Sequence, residues 1–342
     1  MHASQYNVVE LFAGAGGLAL GLEQAGFKTE ATVEINKWAS QTLRKNRPHW
    51  KVIEEDITKI SETGISQYLD ENKEIDLLSG GYPCQSFSYA GNRLGIEDTR
   101  GTLFYDYAEI LRELQPKMFF AENVKGLTTH DKGRTLKTMI EIFEEVGYVV
   151  EYKVLNSVEY GVAQKRQRII IIGVRTDIKE QIGESFKFPE PYDYKLTLKD
   201  VLQDVPASFC AKYNDKKKEV LKHVKPGGCW RDLPDDVARD YMKTTYFMGG
   251  GRTGIARRLS WGEAGLTVLC TPSQKQTERC HPDELRPFSV RENARIQSFP
   301  DSWIFEGSMA EQYKQIGNAV PVNLAKEVGL SIIQYLDKLK KG

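Results

Sequence analysis

The greatest chemical promise lies in one short loop. Gly80-Gly81-Tyr82-Pro83-Cys84-Gln85-Ser86-Phe87-Ser88 follows the apolar run Leu77-Leu78-Ser79 and sets a cysteine among glycines and a proline. Most free cysteines are small buried hydrophobes. Cys84 differs because it comes just after a strand-like run, where functional loops of α/β sheets lie. A thiolate is the strongest side-chain nucleophile once a positive field lowers its pKa below ~8.5. Two other segments offer partners. Glu122-Asn123-Val124 closes a further apolar run, and Gln164-Lys165-Arg166-Gln167-Arg168 begins the last one of the first half. A carboxyl and a guanidinium opposite a thiolate suit an electron-poor ring better than a peptide, and no histidine is placed for a Cys–His protease pair. A largely structural Glu122–Arg168 ion pair is the lesser alternative.

A second cluster lies near the start. Val8-Val9-Glu10-Leu11-Phe12-Ala13-Gly14-Ala15-Gly16-Gly17-Leu18 reads as strand, tight turn, helix. Its F-x-G-x-G-G spacing matches neither the G-x-G-x-x-G of dinucleotide binders nor a phosphate-binding P-loop. Glycines still let backbone approach a ligand, and a helix amino end presents free N–H groups. Glu34, ending the next strand, is positioned to accept from ribose hydroxyls, and Asp56 after the third could reach an adenine amino group. The cluster reads as a nucleoside-cofactor site, with a plain βα turn and incidental acids as the alternative.

These residues need a sheet to hold them. Strand-like runs fall at Tyr6–Phe12, Lys28–Val33, Trp50–Ile53, Ile75–Ser79, Met118–Glu122, Val149–Leu155 and Arg168–Val174, with helical periodicity at Gly17–Ala25, Asn36–Asn46, Thr102–Leu114 and Arg134–Val146. Such alternation predicts an α/β sheet with helices on both faces and the functional loops along one edge. Around residue 180 the texture changes to prolines, glycine clusters and a Lys216–Lys218 run. Helical patterning returns at Ser289-Val290-Arg291-Glu292, a capping-box signature, and again from Asn318 to Leu336.

Composition narrows the classes. The 342 residues hold 47 Lys+Arg and 47 Asp+Glu, so any attraction to nucleic acid must be local. Residues 186–285 carry 17 basic against 14 acidic side chains, a slight excess. No apolar run is long enough to span a membrane, and the opening residues lack the pattern of a secretory signal. The five cysteines are odd in number and form no CxxC. Cys229, Cys270, Cys280, His223 and His281 lack metal-ligand spacing, so no metal is expected. The reading is a cytoplasmic protein of two parts.

Taken together and in order, the motifs resemble those of the cytosine-C5 DNA methyltransferases of bacterial restriction–modification type. FAGAGG is similar to the cofactor loop, GGYPCQSFS to the nucleophile loop, ENV to the carboxylate motif and QKRQR to the arginine motif. RPFSVRENARIQSFPDSW (286–303) resembles the helix ahead of the last motif, and QIGNAVPV (315–322) the final cofactor segment. The resemblance implies an α/β, Rossmann-like sheet domain that uses S-adenosylmethionine, with a smaller loop-rich target-recognition domain. Its implied boundaries are 1–185 for catalysis and cofactor binding, 186–305 for recognition, and 306–342 for a segment returning to the catalytic domain.

The resemblance also assigns roles. Cys84 would add to carbon 6 of cytosine, Glu122 would bond the exocyclic amine and ring nitrogen 3, and Arg168 would bind the carbonyl at position 2, with Arg166 also in the catalytic set. Phe12, Ala13, Gly14, Gly16, Gly17 and Leu18 would wrap the methionine and ribose, with Glu34 on the ribose. Ile35, Asp56, Ile57, Pro83 and Leu103 would surround the adenine, and Asn318, Ala319 and Val320 would close the pocket. Gln85, Ser88, Arg252, Arg257, Arg258 and Thr267 are implied DNA contacts. The segment Phe87–Arg100 resembles the mobile catalytic loop, with Ala90 where some relatives carry the residue that fills the space of the flipped base. The implied partner is double-stranded DNA, with a cognate endonuclease as a functional associate, a monomeric state and a nucleoid location. The alternatives are the tRNA-methylating branch of the same family, a catalytically dead binding module, and a nicotinamide oxidoreductase resting on the glycine loop alone.

Overall fold

The computed structural model describes residues 6–70, 73–83, 102–248 and 253–340. Its chain divides into two compact units. The first takes the chain up to Tyr160, Gln167–Asp193 and everything from Ala319 onward; the second takes Gly161–Arg166 and Tyr194–Asn318. Residues 186–193 thus fall in the first unit and 306–318 in the second.

In the first unit, strands β1 (Tyr6–Leu11), β2 (Phe27–Val33), β3 (Lys51–Ile53), β4 (Leu77–Gly80), β5 (Met118–Val124), β6 (Tyr148–Asn156) and β8 (Gln167–Arg175) form one sheet in the order β3-β2-β1-β4-β5-β8-β6. β7 (Gln164–Lys165) lies in the second unit. The five strands from β3 to β5 pair in parallel, whereas β8 runs antiparallel to both β5 and β6. The sheet is therefore mixed. Parallel strands must be covered on both faces, and two separate apolar clusters do this. Val9, Leu11, Phe119 and Ile171 face one, with Tyr107 and Phe143 from the helices; Val8, Leu77, Phe120 and Ile172 face the other, with Leu18 and Leu324.

Helices α1 (Gly17–Ala25), α2 (Lys37–Asn46), α3 (Ile57–Thr63), α4 (Leu103–Leu114), α5 (Arg134–Glu145) and α6 (Thr176–Ile182) connect or flank the strands. The C-terminal helix Val322–Leu336 packs on α1 in the second of these clusters. The single helix expected from Asn318 to Leu336 is in fact broken. One helix, Met309–Asn318, ends in the second unit, and the next begins after Pro321, whose ring cannot continue a helix from behind but suits a helix start.

The second unit has little regular structure. Its core is built from Tyr213, Leu221, Val224, Tyr241, Ile255 and Cys280 among others, between short helices at Asp215–Lys222 and Asp235–Met242. Its two-stranded sheet, β7 with β9 (Gly265–Leu266), is two residues long on each side. The expected capping box is present: Ser289 and Glu292 bond each other's backbone at the start of the helix Val290–Ile296.

Candidate active site

The end of β5 and the start of β8 meet at the edge where the parallel strands end. Because the two strands are antiparallel, with Val124 opposite Arg168 and Glu122 opposite Ile170, the first residues of β8 reach the carboxyl edge. There the Arg168 Nε lies 2.7 Å from Glu122 Oε1, with both side chains largely buried. Glu122 Oε2 faces Gly81: a Cβ at that position would sit 3.1 Å from it, so the first residues of the cysteine loop must be small to share the space. Asn123, buried beside this pair, donates from Nδ2 to the carbonyl of Tyr82 at 2.9 Å. Tyr82 is itself packed edge-on against Phe104 and near Tyr107. The loop is thus fixed two residues before Cys84. Cys84, Gln85, Ser88 and the segment Phe87–Arg100 lie outside the described residues.

The glycine-rich turn makes a cradle one strand away. Phe12, Gly14 and Gly16 all take positive φ, and a Cβ on Gly14 would project into open space. Glu34 holds this turn: the N–H groups of Gly14 and Asn36 donate to its two oxygens, each at 2.7 Å. Helix α1 then starts from Gly16 with no side-chain cap and no acidic residue in its first turn. By contrast α2, α3 and α4 are capped by Asn36, Asp56 and Thr102. An uncapped amino end turns backbone donors and partial positive charge toward the cradle, where an anionic or hydroxyl-rich ligand would meet them. Asp56 spends Oδ1 on the Thr58 N–H, which leaves Oδ2 for another donor. Ile35 is 64% exposed, an unusual state for a large aliphatic side chain at a strand end, and Pro83 is also exposed. Ala13, Leu18, Ile57, Ala319 and Val320 are buried, and Leu103 packs half-buried against the same core as Phe12. These residues fit a nucleoside ligand: open space over a glycine, unspent donors, carboxylate oxygens and an uncovered aliphatic surface.

The second unit treats its expected residues differently. Arg166, placed by its motif in the catalytic set, is buried here and donates to the carbonyls of Val268 (3.5 Å) and Gly317 (3.1 Å). It ties segments of its own unit and is not part of β8. Arg257 makes a two-fold contact with Glu263 at 2.9 and 3.0 Å and a bond to the Gly227 carbonyl at 2.6 Å. Arg258 donates to the carbonyls of Pro282 and Val224. Both guanidinium groups expected on DNA are committed within the protein. Thr267 donates from its exposed hydroxyl to the Lys165 carbonyl, and Asn318 accepts from Cys270. Arg252 lies outside the described residues.

Comparison with known proteins gives this arrangement its family. Residues 6–334 match the model of the C-5 cytosine-specific DNA methylases. The chain belongs to that family. It is similar to the Type II methyltransferase M.Sau96I of Staphylococcus aureus, at 60% identity over 97% of this chain and 77% of that protein. It is also similar to M.Eco47II of Escherichia coli, at 53% identity over 98% and 81%. Among solved structures, a candidate DNA modification methyltransferase from an E. coli prophage superposes with a TM-score of 0.70 at 23% identity, covering 97% of this chain and all of that one. Spodoptera frugiperda DNMT2 gives 0.61 at 18% identity. The last two likenesses concern the fold alone. The protein is a DNA (cytosine-5-)-methyltransferase, and the RNA-directed and oxidoreductase alternatives gain nothing from these comparisons. No helix among the described residues is long and apolar enough to cross a membrane.

Two features of this cytosine methylase escaped motif reading. Asn123 acts through the backbone of the cysteine loop, a role visible only once β4 and β5 are paired. Glu10 is 1% exposed one residue before the end of β1, with Thr32 and Ser79 beside it on the neighbouring strands. Its Oε2 and the Thr32 hydroxyl accept or donate no hydrogen bond. Burial, and after it the charge of Glu34, holds the Glu10 carboxyl well above the usual carboxylate range. The available signal was one acid inside the apolar run Val8-Val9-Glu10-Leu11.

Proposed function

We propose that this methyltransferase acts on a cytosine flipped out of duplex DNA, with Cys84 as nucleophile and S-adenosylmethionine as donor, in a restriction–modification setting. The observation that carries the reading is the Glu122–Arg168 pair, set 2.7 Å apart at the sheet edge directly beside Gly81 of the cysteine loop. Carbon 5 of cytosine is a poor nucleophile, and covalent addition of a thiolate at carbon 6 makes it a reactive one. As the Cys84–carbon 6 bond forms, electrons pass into the ring, and Glu122 directs a proton to nitrogen 3. Arg168 stabilises the charge developing on the carbonyl oxygen at position 2. The donor, when bound, supplies an electrophilic methyl group to carbon 5. Loss of the carbon 5 proton then expels Cys84 as thiolate, and return of the nitrogen 3 proton to Glu122 leaves the neutral aromatic ring. Phe12, Ala13, Gly14, Gly16, Gly17, Leu18, Glu34, Ile35 and Asp56 would hold the donor, with Ile57, Pro83, Leu103, Asn318, Ala319 and Val320 completing its surroundings. Flipping the base costs a few kcal/mol, which contacts to the duplex must offset.

The test is chemical. Incubated with donor and a duplex carrying 5-fluorocytosine at a methylated site, the protein is expected to form a denaturation-resistant adduct through Cys84, because fluorine cannot leave as the proton does. Cys84→Ser should abolish both adduct and methyl transfer while donor binding stays within a few fold. An adduct on another side chain, or methyl transfer by Cys84→Ser at an appreciable rate, would overturn the mechanism.

A further inference from the structure

Among the half-buried arginines described in the second unit, Arg279 makes the fewest hydrogen bonds. Arg239, Arg257, Arg286 and Arg295 are paired with carboxylates, and Arg258 and Arg291 are bonded to backbone carbonyls. Arg279 is part-buried, yet it has no carboxylate partner among the described residues. Its Nη1 donates to the carbonyl of Glu278 at 2.8 Å, and its buried Nε bonds to nothing. A guanidinium offers five donors and no acceptor, so such a placement leaves hydrogen-bonding capacity unspent in a partly desolvated position.

The backbone beneath it is rigid. Glu278 and Cys280, on either side, are fully buried. The N–H of Glu278 donates to Gly254 and that of Cys280 to Arg257, while the Cys280 carbonyl accepts from Leu259. In this extended segment side chains alternate, so with its two neighbours turned into the core Arg279 leaves on the other side. Burial and then the nearby Arg257 charge lower the Arg279 pKa to about 10, which still leaves it charged at neutral pH.

We propose that Arg279 is a specificity-determining residue that donates to the O6 and N7 acceptors of a guanine in the DNA target. The proposal rests on the second unit being the part that reads DNA. Guanine is favoured over other bases because its major-groove edge presents two acceptors matched to one arginine fork. Lysine, with a single rotating ammonium, is a poor substitute at such a site.

The experiment uses the full chain, Arg279→Ala and Arg279→Lys against a duplex library randomised around a cytosine. Bisulfite sequencing reads methylated sites, and sequencing of bound duplexes reads preference independently of turnover. At one guanine position of the preferred site, discrimination should fall about tenfold or more in Arg279→Ala, with partial recovery in Arg279→Lys. Affinity for unrelated duplex and its salt dependence should stay within about twofold. Unchanged preference in a variant that melts like the unaltered chain would overturn the proposal. So would a uniform loss over all sequences with a shallower salt dependence, which marks a phosphate contact. Arg279→Lys keeps the charge and the stem, so it decides the question should Arg279→Ala fail to fold. Failure of the unaltered chain to methylate would instead count against the proposed chemistry, and the bound-duplex reading would still judge Arg279.

Discussion

The two units spend their polar groups in opposite ways. In the second, regular ladders are scarce, so side chains satisfy the backbone: Arg166, Arg257, Arg258, Arg291 and Arg295 all donate to carbonyls. Buried Glu278 likewise receives Lys217, Tyr241 and the Ala256 N–H. In the first unit the sheet satisfies the backbone, and polar groups along its carboxyl edge stay available. Helix α1 has no side-chain cap, Glu10 Oε2 has no partner, and the Glu122–Arg168 pair stands at the strand ends. Buried polar groups are costly unless they are bonded. Unbonded buried polar atoms occur in both units, Arg279 Nε among them, but at the sheet edge they stand near an uncapped helix end, where a ligand can complete the bonding, whereas most arginines of the loop-rich unit are structural ties.

The largest effect should come from the catalytic edge. Glu122→Gln keeps the shape of the side chain and removes its ability to exchange a proton. Its turnover is expected to fall about a hundred- to ten-thousandfold, with the methylated-site pattern unchanged. Single-turnover rates and a site census on the same DNA would check both. A variant that kept its rate would make the pair with Arg168 a structural one, and the contrast between the units would lose its main support.

Glu10 sharpens the same contrast through stability. Its folded pKa lies above its ordinary value of 4.5. The folded state thus binds the proton more tightly, a stabilisation fully present below about pH 4.5 and lost as pH rises through the folded pKa. Glu10→Gln has no proton to lose. Relative to the unaltered chain it should gain stability from about pH 5 upward, at a slope approaching ~1.4 kcal/mol per pH unit until the folded pKa is passed. Denaturant midpoints measured at pH 5, 6.5 and 8 without donor would show it. A flat difference would mean that the carboxyl finds a partner inside the sheet, as the polar groups of the second unit do.

How far the sequence could be read follows the same division. Every expected strand of the first unit appears within a residue or two, and for the central parallel strands the reason is that burial on both faces leaves continuous apolar runs. The motif residues Glu122 and Arg168 met because they lie at the ends of two such runs. The antiparallel turn of β8 left no mark in periodicity, and neither did the assignment of Gln164–Arg166 to the other unit. In the second unit the sequence showed arginines but not their partners. Arg257, expected on DNA, has Glu263, six residues away, as its carboxylate partner, a pairing that its spacing did not announce. Arg279 drew no notice between Glu278 and Cys280, since nothing in its spacing says that both neighbours are buried.

Arg257 gives the smallest and most pointed test. Its guanidinium bonds both oxygens of Glu263 and the Gly227 carbonyl, and Glu263 Oε1 also accepts from the Ser260 N–H. Removing it in Arg257→Ala strands a half-buried carboxylate and a carbonyl, so the variant should lose about 2 kcal/mol of stability. Below its melting range it should methylate the same sites as the unaltered chain, because the bonds it lost lie within the protein. Thermal midpoints and a methylated-site census separate these readings. Were the site preference to relax while stability held, Arg257 would be the reader, and its bonds to Glu263 would have to open when DNA arrives. Arg279 has no carboxylate partner among the described residues and a single carbonyl bond, so its substitution should move preference more than stability.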